Sequence, residues 1–74
     1  MDDRTLKRKL GMLVKLANEL DREAKRRYGD EGFLFFEADG TFHIMDGDGE
    51  DIADRQTHVR MSSDEYCQMG SGAW

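Results

Sequence analysis

Leucine and alanine return along the first third of the chain at alternating steps of four and three. The series is Leu6, Leu10, Leu13, Ala17, Leu20 and Ala24. This is the spacing of one apolar face on a helix, close to a coiled-coil seam. Val14 and Leu16 widen the stripe and Met12 extends its edge. Asp2 and Asp3 stand where they can cap the amino end and oppose its partial positive charge. Lys25, Arg26 and Arg27 stand in the last turn, and Gly29 follows as a terminator. The pattern predicts a helix over about residues 3–28, roughly 39 Å long at 1.5 Å per residue. Gly11 is its weak point, costing on the order of 1 kcal/mol relative to Ala.

The period then changes. Two apolar runs flank Asp39-Gly40 in "GFLFFEADGTFHIMDG". Asp-Gly between apolar runs predicts a hairpin, with strands over Phe33–Ala38 and Thr41–Asp46. A two-residue loop at Asp39-Gly40 would pair Phe36 with His43, Phe35 with Ile44 and Leu34 with Met45. One face would then carry Phe33, Phe35, Phe42 and Ile44, and the other Leu34, Phe36, His43 and Met45. Further on, "THVRMS" alternates His58 and Arg60 with Val59 and Met61, which predicts a third strand over about residues 57–62. "SSDE", Ser62 to Glu65, has capping-box spacing and suggests a short helical turn carrying Tyr66 and Cys67. The glycine-rich tail ends on Trp74, expected to fold over the open sheet face because an exposed large aromatic is a liability.

The expected architecture is α+β. One long N-terminal helix packs on a small antiparallel meander of three strands, with a short C-terminal turn or helix, all in a single domain of residues 1–74. The two parts do not match in length. Strands of about six residues span ~20 Å, so a third or more of the helix should overhang, while its stripe runs on to Ala24 and Tyr28. The C-terminal tail, a second copy of the chain or another protein must cover that stripe.

Composition sharpens this reading. The 74 residues are 36% charged and 38% hydrophobic, and a chain this short buries only about 60% of its unfolded surface. The net charge of −5 is unevenly spread. Residues 1–28 hold nine Lys/Arg and five Asp/Glu, a net of +4, and residues 29–74 hold two and eleven, a net of −9. Such a split creates a dipolar field able to steer encounters. A single cysteine, Cys67, rules out an internal disulfide and suggests a reducing compartment. The charged N-terminus lacks the apolar region of a signal peptide, and no run approaches the ~20 apolar residues of a membrane span. A soluble cytoplasmic protein is expected.

The stretch "MDGDGEDIAD", Met45 to Asp54, concentrates five acidic residues in ten. Asp46, Asp48 and Glu50 fall at positions 1, 3 and 5 of an EF-hand-like loop. The match stops there, because Asp51 stands where the sharp turn needs glycine and Thr57 where a bidentate Glu is required. A polar connection with Gly47 and Gly49 at positive φ is one reading. An acidic recognition loop formed by Asp46, Asp48, Glu50, Asp51 and Asp54 is another. His43, His58 and Cys67 lack the spacing of a structural zinc site, so no metal or other cofactor is expected. Nothing supplies an activated nucleophile with an oxyanion hole, and the expected function is not enzymatic. Lys7, Arg8, Lys15, Arg22, Lys25 and Arg26 could meet phosphates. The acidic half would repel a duplex, however, and helical pairs such as Glu23–Arg27 account for part of the charge.

A protein-binding module remains. In size, charge and lack of motifs the chain resembles the small inhibitors carried by phages and mobile elements, anti-CRISPR proteins among them. That resemblance implies a protein that blocks a host protein by occupying a basic surface, without chemistry. The alternative is self-association as a homodimer, with Leu6, Leu10, Leu13, Ala17, Leu20 and Ala24 as the seam.

Overall fold

In the computed structural model, which describes residues 1–68, the apolar stripe forms helix α1 over Asp3–Tyr28. Asp2 caps it, its Oδ1 accepting from the Thr5 backbone N–H at 2.7 Å. Gly29 ends it at φ 84°, donating to the Lys25 carbonyl at 2.9 Å. Three strands follow, β1 (Phe33–Phe36), β2 (Phe42–Met45) and β3 (Val59–Ser62), with a short helix α2 (Ile52–Thr57) between β2 and β3. The sheet is antiparallel in the order β1-β2-β3. The expected α+β fold, a long helix on a three-stranded meander, is the fold observed. Trp74 lies outside the described residues.

The hairpin loop differs from the expectation, and the difference moves side chains between faces. A two-residue loop would turn the Thr41 N–H to the Ala38 carbonyl; Gly40 takes a positive φ of 95°. The Asp39 carboxylate instead accepts from the Thr41 N–H at 2.9 Å. The Gly40 N–H donates to the Glu37 carbonyl at 3.0 Å, and the Glu37 N–H to the Thr41 carbonyl at 2.8 Å. The loop is therefore Ala38-Asp39-Gly40, a three-residue connection closed by a left-handed glycine. Every pair slips by one: Phe33 with Met45, Leu34 with Ile44, Phe35 with His43, Phe36 with Phe42. A one-residue slip exchanges the partners of each face. Phe33 and Phe35 now share a face with His43 and Met45, and Leu34 and Phe36 share theirs with Phe42 and Ile44.

A second irregularity lies between β2 and β3. Met45 pairs with Val59 and Ile44 with Met61, so Arg60 is the extra residue of a bulge. Val59 and Met61, expected on one face, end on opposite faces. β3 begins at Val59, two residues later than expected, because Ile52–Thr57 has coiled into α2. The "SSDE" segment forms no helix. Ser62 ends β3, Ser63 Oγ donates to the Glu65 carbonyl at 2.8 Å, and the chain returns to the hairpin loop, where the Cys67 N–H donates to the Gly40 carbonyl at 2.8 Å.

α1 is fastened to the sheet near its carboxyl end. Ala24 is fully buried. Asp21 Oδ1 accepts from the Leu34 N–H at 2.9 Å, and Lys25 Nζ donates to the Gly32 carbonyl at 3.0 Å. β1 is an edge strand, and the Leu34 N–H points away from β2, so the Asp21 carboxylate satisfies an edge donor that would otherwise face water. The core is correspondingly small. Among the described residues only Ala24 and Met45 are buried apolar side chains. The molecule measures 42 × 26 × 20 Å and its radius of gyration is 13.7 Å, against about 11 Å for a compact globule of this length. The excess is the N-terminal part of α1, which projects beyond the sheet.

Candidate protein-interaction surface

The acidic connection is built largely from contacts with itself and with β3. Asp46 follows β2 and accepts from His58 Nδ1 at 2.7 Å and from the Arg60 guanidinium. The His58 hydrogen bond, reinforced by Arg60, holds the Asp46 carboxyl below the usual range. Asp51 caps α2, accepting from the Asp54 N–H at 2.8 Å, and Asp54 reaches back to accept from the Glu50 N–H at 3.0 Å. The pair resembles a capping box made of two aspartates, with the return bond going to Glu50, one residue before the N-cap Asp51. Asp48 lies 3.3 Å from Arg55 Nε. Of the five acidic residues proposed for partner contact, Asp46 is thus bound internally, Asp51 and Asp54 shape α2, and Asp48 and Glu50 point most openly to solvent.

The expected positive φ at Gly47 and Gly49 is absent; Gly29 and Gly40 are the described glycines that have it. Gly49 is required by crowding, since a Cβ there would sit 2.4 Å from the Arg55 backbone nitrogen. Among the described residues no group of three or more His, Cys, Asp or Glu is placed to hold a metal ion. His58 is turned to Asp46, and His43 to Glu37 and Ser62.

That last network has no counterpart in the expectations from sequence. His43 Nε2 is 2.9 Å from Glu37 Oε1, and His43 Nδ1 is 2.6 Å from Ser62 Oγ. The ring is buried and links the ends of all three strands. Its signal lay in the register: His43 opposes Ser62 across β2 and β3, and the slipped hairpin brings Glu37 to the same face. Ser, His and Glu are also the residue types of a hydrolytic triad. Here the nearby Ser63 N–H is bonded to the Phe42 carbonyl and the Phe42 N–H to Ser63 Oγ, so neither is free to form an oxyanion hole. The arrangement clamps strands together.

The apolar stripe of α1 contrasts with these satisfied groups. Leu6, Leu10, Leu13, Leu16 and Leu20 are each between 40% and 56% exposed. Ala24, the last member of the expected seam, is buried by the chain's own sheet, and Ala17 is half-buried. Leu13, Leu16, Ala17 and Leu20 line one wall of an apolar cleft of about 240 Å³, with Leu34, Phe42 and Ser63 opposite. Farther along β2 and β3 the cleft continues past Ile44 and Met61.

Charge divides along the same axis. The cations in the last turn of α1 are answered locally. Asp21 pairs with Lys25 at 2.7 Å, and Glu23 with Arg26 at 2.6 Å and Arg27 at 2.8 Å. The two guanidiniums hold the Glu23 carboxyl down at about 2. The expected Glu23–Arg27 pair is therefore present. In the projecting part, Arg4, Lys7, Arg8, Lys9 and Lys15 make no ion pair with any described residue. No helix among the described residues is long and apolar enough to cross a membrane. The chain matches no protein-family model, and neither the curated proteins nor the solved structures provide a significant match.

Proposed function

We propose that this chain is a non-enzymatic protein-binding module and that the exposed stripe of α1 is its contact surface. The observation that carries the reading is the run of five leucines, each 40–56% exposed, on a helix fastened only near its far end. Burying the exposed half of a leucine stabilises by about 1 kcal/mol, so the five leave on the order of 5 kcal/mol to be gained on association. A helix laid by its apolar face into a groove, or against another helix, is a recurring recognition mode. The single cysteine favours a reducing, cytoplasmic setting.

The test compares the wild-type chain with Leu10→Glu and Leu13→Glu as baits. A protein retained by the wild type and lost from both variants, with helix content unchanged, supports the reading. Equal retention by all three rejects the stripe as the contact surface.

A second reading rests on the acidic body. Residues 29–68 carry a net charge of −9, from eleven acidic and two basic residues. Asp48 and Glu50 are exposed on their loop. Such a face complements a basic surface on a partner, as in an inhibitor that occupies a nucleic-acid-binding site. Changing Asp48 and Glu50 to Asn and Gln should slow such an association and flatten its salt dependence. Unchanged kinetics would reject it.

A further inference from the structure

We infer that the occupant of the α1 stripe is a second copy of this chain, paired antiparallel about a two-fold axis near Leu13. The inference rests on the reading of the stripe as a contact surface and names its partner.

The leucine spacing admits this symmetry. With the axis at Leu13, Leu6 faces Leu20 of the other copy and Leu10 faces Leu16. The five leucines map onto one another about this axis, as an isologous contact requires. The shape admits it as well. Each projecting arm runs beside the other copy's cleft, whose wall of Leu34 and Phe42 faces its own Leu13, Leu16 and Leu20. Ala24, already sequestered by the sheet, lies beyond the paired segment.

Charge selects the direction. Residues 1–16 carry five cations and two anions, a net of +3, and residues 29–68 carry a net of −9. The five arm cations have no ion-pair partner among the described residues. Asp64 and Glu65, exposed acids, follow Ser63 at the rim of the cleft. A parallel pair would set arm against arm and body against body, like charge on like. The antiparallel pair sets each basic arm over the other copy's acidic body, the complementary choice.

The test combines mass with orientation. Sedimentation equilibrium of the full chain from micromolar to millimolar should give a concentration-dependent species of twice the 8.5 kDa chain mass. Leu13→Glu should raise the dissociation constant about 30-fold or more while circular dichroism still reports the helix. Charge reversal of Lys7, Arg8 and Lys9 to Glu should weaken the dimer more at low salt than at high salt. For orientation, Leu6→Cys and Leu20→Cys are made separately on a Cys67→Ser background. On mixing and oxidation, the 6-to-20 disulfide should form in preference to either like pair. A preference for 6-to-6 overturns the antiparallel arrangement, and a monomer at every concentration overturns the dimer. If that monomer still retains another protein or a labelled duplex through the stripe, only the identity of the occupant is wrong. If it retains nothing, the reading of the stripe falls with it.

Discussion

Gly40 shows how much one residue controls here. Its φ of 95° closes the hairpin loop, and a Cβ on it would come within 2.1 Å of the Cys67 carbonyl oxygen. Left-handed backbone costs an L-residue roughly 1–2 kcal/mol, and the clash adds to that. Gly40→Ala is therefore expected to lower the unfolding free energy by about 2 kcal/mol or more, read from the midpoint of a urea titration at constant slope. Asp46 offers a contrast in sign with pH. Its folded carboxyl titrates below the unfolded one, because His58 and Arg60 stabilise the ionised form. The stabilisation is thus fully present above the ordinary carboxylate value of about 4 and is lost as pH falls through the lower, folded value. Asp21 and Glu23 shift in the same direction, through Lys25 and through Arg26 and Arg27. The thermal midpoint should fall as pH drops from about 4 towards 2. Asp46→Asn should be less stable at pH 7 and show a shallower fall, and an unchanged profile would remove Asp46 from the account.

The long helix was legible because its signal is redundant. Six apolar positions, an N-terminal aspartate, three terminal cations and a glycine all give the same ends, and Asp3–Tyr28 is the helix found. The cap itself can be weighed: Asp2→Ala, which removes the acceptor of the Thr5 N–H, should lower the midpoint of thermal unfolding. The hairpin was legible in place and not in register. Asp39-Gly40 announces a turn, yet whether the loop holds two residues or three depends on whether the Thr41 N–H turns to the Ala38 carbonyl or to the Asp39 carboxylate, a choice of small local energies. α2 was missed because six residues carry too little periodicity, and because its caps, Asp51 and Asp54, read equally well as members of an acidic cluster. The Glu37–His43–Ser62 clamp could not be read until the register was known. The exposure of the α1 stripe was legible from the mismatch in length between helix and sheet, except at Ala24, where contact with the chain's own sheet decided burial.

For the molecule as a body, the described residues form a small core and a long arm whose apolar stripe they leave exposed. That surface lies on one side chain array, and the polar groups of the sheet are mostly answered internally. The edge of β1 is part of that economy. Its sequence, Phe-Leu-Phe-Phe, is apolar and strand-forming, and the Asp21 carboxylate occupies the Leu34 N–H from outside. Other chains seeking to lengthen the sheet at that point meet an anion where they need a free donor. Asp21→Ala would uncork the edge, and the expected result is slow growth of thioflavin-binding fibres that the unaltered chain resists. One carboxylate would then separate a protein that keeps its backbone edge sealed from one that polymerises through it.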